Sequence, residues 1–577
     1  MRRAPVGLVS LFGLKMASWR LVLTVLALFA WGCGPELAIY SDSDSSHDLA
    51  ADAVGIVGIP NLDDDNENDS GDWADGVVGD ASDDFTTAQV AGENDFVSFT
   101  IRDLAFRGLK NGESIVLVLS GDTNAIRIWS GDRVVLGAVA GGFMEDRELS
   151  STDEDQVFEV EFRDFLTSGE LRLEHRDRDQ EVIAATAVKL TASPLLLNHH
   201  LQPSEDVWVV DIDAGPGFNN QQMVGVYAEV LGDRFIPIDG PTYNYDQWIQ
   251  DEIEFGWTVG GDAANQIVVD SIRDRPLDAY PEDELLAPDV VIGTWGEPEL
   301  ANSLDYFGNL EVSPPVTVDG VDYPLGRIYW GGAPSFHPHE ELTDFLEGQR
   351  VQRPFQVDTT WLCVSHIDEF TSFVPDPDSE KGFKFIYSGT QVAWELLEQM
   401  DPGTALPRYG LNMPNGHGLP NVAALVNNGP LRDLNEEIQE DYLDPILDQF
   451  KEELGLTDDD IMLMPSLFEE AFNCGGYVAA LIPGMANLIS TTSNGQTDIF
   501  LADPFTRDSN SSESGQGDDP LIQHVREHFP DSLDLHFVDN WSVYHMQLGE
   551  VHCGTNVQRT PDPLWWQDSL HLLEGSP

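Results

Sequence analysis

Over residues 95–190 apolar and polar positions alternate in short runs, among them FVSFTI, SIVLVLS, AIRIWS, VFEVEF, LRLEH and VIAATAVKL. Turn-forming text such as KNGES, SGD and TSGE separates them. A period of two sends alternate side chains to one face of a strand, so this region is predicted to be an antiparallel β-sandwich. After SPLLLNHH the pattern changes, and apolar runs such as VWVVDI and MVGVYAEV alternate with longer helical stretches. The clearest helix is LDPILDQFKEELGL, with Asp444 as N-cap, Pro445 in the first turn, Gly455 as the stop, and a buried stripe of Ile446, Leu447, Phe450 and Leu454. Strands mixed with helices from residue 191 to about 570 predict one large α/β or α+β domain, and no short-period repeat is visible in its text.

Charge changes this picture. The chain of 577 residues carries 101 acidic against 29 basic residues, a formal net charge of −72. Such a surface repels nucleic acid and anionic membranes and attracts cations or basic partners. A saline habitat or general solubility accounts for it as readily as carboxylates that hold calcium. The acids concentrate in residues 34–94, where NLDDDNENDSGDWADG cannot bury a core and reads as an acidic linker or a calcium-ordered loop without EF-hand spacing.

Residues 1–33 read as an export signal: Arg2, Arg3, Lys15 and Arg20 precede LVLTVLALFA, an apolar run too short to span a bilayer. It ends in AWGC, similar to a bacterial lipoprotein site with Cys33 as the lipidated residue, although Trp31 stands where a small residue is preferred. A periplasmic, outer-membrane-anchored or secreted protein is therefore expected. Four cysteines are too few for a disulfide scaffold; a Cys363–Cys474 bond is open, but unpaired burial is the expectation. HPHE at residues 337–340 reads as a surface turn rather than a metal site.

Three polar clusters interrupt aromatic-rich text. In DQWIQDEIEFGW, an extended chain would put Gln250, Glu252 and Glu254 on one face and Asp251 on the other. In WLCVSHIDEFTSF, His366 and Asp368 lie two apart, hence on one face of a strand. The third is GEVHCGTNV, residues 549–557, where Cys553 follows His552 directly; on a strand these would point apart, leaving His552 a supporting residue. A cysteine, a histidine and two aspartates suit attack on an electrophilic carbon, with proton shuttling and bidentate capture of a planar guanidinium. Structural placement of the same residue types is the plainer alternative.

WIQDEIEFGW, YFGNLEVSPPVTVDGVDYPLGRI, VSHIDEFTSFVP, FKEELGLTDDDI and GEVHCGTNV resemble the protein-arginine deiminases, over about residues 191–566. The resemblance implies a fold of five ββαβ-type modules about a pseudo-fivefold axis, an α/β propeller, preceded here by a single immunoglobulin-like sandwich. It implies Cys553 as nucleophile, His366 as general acid/base, and Asp251 and Asp368 as guanidinium-binding carboxylates. Trp248 matches the aromatic wall along the arginine stem, and Arg275 the residue that binds the substrate main chain. Two calcium sites are implied. One takes Gln250, Glu254, Phe307, Leu310 and Glu311, with Phe307 and Leu310 acting through main-chain carbonyls; the other takes Glu252, Asp270, Ser271 and Asp274. Asp289 matches a further ligand between domains. Gln547 and Leu548 replace the basic or polar residues of animal members at the substrate entrance. The expected activity is calcium-dependent conversion of peptidyl-arginine to peptidyl-citrulline; enzymes of free guanidino compounds and a dead binding module are the alternatives, and a homodimer stays open.

Overall fold

The computed structural model describes residues 35–41, 55–62, 77–78 and 95–574, apart from 132, 140–141, 262, 412–415, 473 and 509–513. The leader with Cys33, and most of the acidic stretch, lie outside the described residues. The architecture is mixed α+β and mostly sheet. Among the described residues no helix is long and apolar enough to cross a membrane.

Two sheets face each other over residues 95–192. The first runs in the order Tyr40–Ser41, Val97–Ile101, Gln156–Phe162, Ile126–Ser130, Arg133–Val139, Gly142–Met144. The second runs Ile56–Gly58, Val182–Ala192, Ser168–Arg176, Ser114–Gly121, Asp146–Leu149. The alternation read from the text is the cause: Val97, Phe99 and Ile101 point inward to meet Ile115, Leu117, Leu119, Leu171, Leu173 and Leu190 in one core. The acidic region is not a linker throughout, because Tyr40–Ser41 and Ile56–Gly58 pair into these two sheets and Val77–Val78 pairs with Val290–Thr294. Short apolar breaks in the acidic text, such as IVG, supply these edge strands.

Besides two two-stranded hairpin sheets, the rest of the chain builds, among the described residues, five small sheets of one kind. Each has an outer strand antiparallel to a central strand, and a third strand parallel to the centre. In chain order the outer and central strands are Ile253–Gly260 with Ala263–Asp270, Leu310–Val312 with Ile328–Gly331, Thr371–Pro375 with Phe383–Gly389, Ile489–Ser493 with Gln496–Ala502, and Thr555–Arg559 with Ser204–Asp211. The parallel strands are Val290–Thr294, Phe355–Val357, Ile461–Pro465, Leu533–Val538 and Phe235–Asp239. Parallel pairing requires a crossover, and helices such as Gln221–Leu231, Glu340–Gln349 and Pro520–His528 supply it. The repeat is one of topology, which explains its absence from the letter-by-letter text. The fifth sheet joins a strand from the start of this region to one from its end.

Two local expectations are corrected. Asp444 is not an N-cap: the helix Asp444–Leu454 continues from Gly429–Ile438 through the π-helical turn Gln439–Leu443, and Asn428 caps the whole by accepting from the Leu431 amide. Pro445 lacks the amide hydrogen that an unbroken α-ladder needs, and the wider turn just before it absorbs the defect. The stop at Gly455 (φ +61°) holds, as does burial of Ile446, Phe450 and Leu454. Cys363 and Cys474 are bonded rather than separately buried, with Cα atoms 5.8 Å apart. Cys363 donates its amide hydrogen to the Val478 carbonyl (2.8 Å), so the 471–478 loop is brought alongside by backbone pairing that a separation of 111 residues conceals.

A cross-link closing so long a loop restricts the unfolded chain. Replacing both cysteines with serine is expected to lower the unfolding free energy by about 2–4 kcal/mol. The change should appear as a lower denaturant midpoint at similar slope, and an unchanged midpoint would contradict it.

Candidate active site

Each outer strand of the five sheets is preceded by a short non-strand segment, and the five segments converge. They are the helical turn Ile249–Glu252, the 3-10 turns Phe307–Asn309 and Ile367–Glu369, the loop carrying Asn487, and the turn at residues 551–554. Neither polar motif is extended as the sequence suggested. A helical turn rotates successive side chains by about 100°. Gln250, Asp251 and Glu252 therefore point in three directions, whereas an extended chain would have paired Gln250 with Glu252. His366 precedes a 3-10 turn that contains Asp368, so the two do not share a strand face.

The convergence brings Cys553, His366, Asp251 and Asp368 together. Cys553 Sγ lies 3.3 Å from Asp368 Oδ2, and Asn487 Nδ2 donates to the sulfur at 3.2 Å. His366 Nε2 donates to the Ser303 carbonyl at 2.7 Å, which leaves Nδ1 3.6 Å from Asp251 Oδ1. Gly308 sits where these groups meet. A Cβ there would lie 2.6 Å from His366 Nδ1, 3.0 Å from Asp251 Oδ1 and 3.2 Å from Asp368 Oδ2, so any side chain would fill the space. Asp251 Oδ1 and Asp368 Oδ1 are buried without hydrogen-bond partners, which leaves each carboxylate one acceptor free.

A cavity of about 150 Å3 opens onto these groups. Trp248, Tyr306, Val364, Gln547 and Leu548 line it with Asp251, His366 and Cys553, and Arg275 stands exposed in its wall. The Trp248 ring packs on Gly549, where a Cβ would come within 2.4 Å of it. Leu548 takes a left-handed backbone (φ +71°), which turns the 545–549 loop along the cavity.

Burial without a counter-charge dominates the electrostatics. It raises the Asp251 carboxyl, against the pull of His366 and Arg273. It also drives the Cys553 thiol well above the usual thiol range, with the charges of Asp368 and Asp251 adding to the shift. As it stands, the sulfur is a neutral thiol. Burial opposes protonation of His552, but Glu311 and Asp368 push its imidazole up to about 9. That ring does not point away from the site: Nδ1 lies 2.9 Å from Asp368 Oδ2, because residues 551–554 form a turn and not a strand.

The expected metal ligands fall into two groups beside the site. Gln250 Nε2 lies 2.8 Å from Glu254 Oε2 and 3.1 Å from the Phe307 carbonyl, and Leu310 and Glu311 follow in the next strand. Burial and the Glu311 charge raise Glu254 to about 8. In the second group the Ser271 amide donates to the Glu252 carbonyl at 2.9 Å, and Asp270 pairs in register with Ile253. Burial raises Glu252 to about 9, and like charge from Asp270 adds to it. Glu252 Oε1, Asp270 Oδ1 and Glu311 Oε1 are buried without hydrogen-bond partners. Hard oxygen donors with buried, unsatisfied lone pairs fit a divalent cation such as calcium. Asp274 lies exposed, and its charge adds to the burial that raises the Asp278 carboxyl. Asp289 stands apart: it abuts Val290, at the opposite end of its strand from the Thr294–Asp270 pair, and its carbonyl accepts from the Gln266 amide.

Four residues of the site escaped the sequence reading. Asn487 lies in PGMANLIS with no motif around it, and Gly308 stood only as one letter within YFGNLEVSPP. Glu369 is a buried acid that accepts from the His366 amide at 3.0 Å. Arg273, two positions before Arg275, is buried against Glu252 (2.9 Å), Asp246 (3.1 Å) and the Trp248 carbonyl (3.0 Å).

The family model described as protein-arginine deiminase (PAD) matches residues 182–567. Human protein-arginine deiminase type-4 is 32% identical over 414 residues, covering 70% of this chain and 59% of that protein. Human type-3 is 35% identical over 407 residues, covering 68% and 58%, and mouse type-1 is 31% identical over 426 residues, covering 71% and 61%. The chain thus spans about six-tenths of the length of these relatives. A solved agmatine deiminase from C. jejuni aligns at a TM-score of 0.33 and 9% identity, over 64% of this chain and 98% of that one, too slight a likeness to argue from. On the family match and the conserved length of these alignments, the chain belongs to the protein-arginine deiminase family.

Proposed function

We propose that the protein hydrolyses peptidyl-arginine to peptidyl-citrulline and ammonia in a calcium-dependent reaction. The observation that carries this reading is the pair of buried carboxylates, Asp251 and Asp368, each with one oxygen that has no hydrogen-bond partner, beside a buried sulfur. A guanidinium is planar and cationic, and two carboxylates suit its hydrogens. Trp248 walls the cavity for the alkyl stem, and exposed Arg275 is placed for a peptide main chain, which favours a peptidyl substrate over free arginine.

The substrate charge also answers the electrostatics of the sulfur. A guanidinium between Asp251 and Asp368 offsets the two charges that hold the thiol proton, so with substrate bound the proton passes to His366 and thiolate forms. The Cys553 thiolate then attacks the guanidinium carbon and forms a C–S bond. A C–N bond breaks, and ammonia leaves with that proton from His366. Water, losing one proton to His366 and the second to solvent, attacks the thiouronium carbon; the C–S bond breaks, releasing citrulline and the thiolate.

Calcium would be held by Gln250, Glu254, Glu311 and the carbonyls of Phe307 and Leu310, and by Glu252, Asp270, Ser271 and Asp274. It supplies the positive charge that these buried carboxylates lack. Since Gln250, Asp251 and Glu252 share one helical turn, ordering its flanks orients Asp251. In this reading the five sheets form the pseudo-fivefold propeller over residues 191–570, behind an immunoglobulin-like sandwich over 95–190. The apolar leader and the Cys363–Cys474 bond support an exported protein, because disulfides persist in oxidising compartments.

Citrulline formed on a blocked arginine peptide, with and without a calcium chelator, tests the assignment. Cys553→Ala should abolish turnover with the fold unchanged; near-wild-type activity in that variant would sink the mechanism. Gly308→Ala should leave the circular dichroism intact and cost on the order of 100-fold in turnover, since displacing catalytic groups by about 1 Å has that effect. In the substrate-free protein, iodoacetamide should alkylate Cys553 slowly at neutral pH, with a rate still climbing above pH 9. A plateau near pH 8 would show an ordinary thiol.

A further inference from the structure

His200, Glu311 and His552 converge in the interior, away from the cavity. Their ligand atoms all lie within 4.8 Å of one another. His200 Nε2 is 2.8 Å from Glu311 Oε2, and His552 Nε2 is 3.3 Å from Glu311 Oε1. The two imidazole centroids are 5.5 Å apart. Around a tetrahedral ion with bonds of about 2.0–2.1 Å, neighbouring ligand atoms sit roughly 3.4 Å apart, so only small movements separate this arrangement from a coordination shell. All three residues are more than nine-tenths buried, and Glu311 Oε1 has no hydrogen-bond partner.

The outer contacts suit ligation as well. His552 Nδ1 is held by Asp368 Oδ2 at 2.9 Å, and His200 Nδ1 by Ser372 Oγ at 3.0 Å, which orients each Nε2 toward Glu311. A carboxylate or hydroxyl on the far nitrogen is the usual support of a metal-bound histidine. Glu254 and Arg559, the charged neighbours coupled to Glu311, balance each other.

We propose that His200, Glu311 and His552 form a site for a first-row divalent transition metal, of the zinc, cobalt or nickel class, distinct from the oxygen-only calcium sets. Two imidazoles and one carboxylate favour such ions over calcium, which takes oxygen donors. The two sites share Glu311, so the ions compete for it. A metal on His552 Nε2 takes the place of the proton there and sets a divalent positive charge behind the ring that contacts Asp368, opposing capture of a cationic guanidinium by that carboxylate. Occupancy therefore silences the enzyme; this consequence rests on the deimination reading, whereas the binding does not.

Cobalt(II) titrated into the calcium-free full-length chain, followed by visible absorption, is the direct test. One equivalent should bind with a nitrogen–oxygen spectrum, and His200→Asn should weaken it at least 10-fold with unchanged circular dichroism. Saturating calcium should weaken cobalt binding to the wild-type chain. Equal affinity in folded His200→Asn would overturn the site. Should that variant not fold, the wild-type spectrum decides: a sulfur-to-cobalt charge-transfer band would place the ion on Cys553 and overturn the proposal. Cobalt affinity indifferent to calcium would overturn the shared carboxylate. Loss of citrulline formation on adding zinc, restored in His200→Asn, should follow if both readings hold, and zinc without effect on an active enzyme would refute the silencing.

Discussion

The amide of Asn487 is the joint on which the site depends. Its Nδ2 reaches the Asp368 carbonyl (3.1 Å) and Cys553 Sγ (3.2 Å), while its Oδ1 accepts from the amides of His552 (2.7 Å) and Cys553 (3.4 Å). One fully buried side chain thereby ties three of the five converging segments. Satisfied polar networks in the interior specify a single arrangement, because every alternative leaves a donor or acceptor unpaired. The five sheets bring the segments near one another, and this amide fixes which atoms meet.

The same interior holds charges that oppose its stability. Asp251, Asp368, Glu369, Glu311, Glu254, Glu252 and Asp270 crowd a small volume, and Arg273, His366, His552, His200 and Arg559 offset them only in part. Desolvated like charges cost on the order of several kcal/mol each in principle, and burial accordingly raises the carboxyls of Asp251, Glu252, Glu254, Asp270 and Glu369. A protein built this way accepts cations because it lacks them. The surface excess of acid repeats the condition on a larger scale, but through solvent that screens it.

Much of this was legible beforehand, for identifiable reasons. The sandwich strands announced themselves because a two-residue period needs no tertiary information, as Val97, Phe99 and Ile101 show. Cys553, His366, Asp251 and Asp368 were named through family motifs; spacing alone left them open. Hidden were features set by long-range pairing: the Cys363–Cys474 bond, the role of Asn487, and the helical turn that separates Gln250 from Glu252. His552 was misjudged because a strand was assumed where Val551 to Gly554 makes a turn. The five-sheet repeat left no textual trace, since topology constrains strand order and apolar pattern far more than residue identity.

The sheet that pairs Thr555–Arg559 with Ser204–Asp211 has a temporal meaning. Synthesis delivers Asp251, Gly308, His366, Asp368 and Asn487 before Cys553, and the strand that seats the sulfur docks beside one of the earliest strands of the domain. An unfinished chain therefore contains the carboxylates and the imidazole of the cluster but not its thiol. The cluster is complete only when the last sheet joins the two ends of the region, so the topology sets the order in time in which the site is assembled.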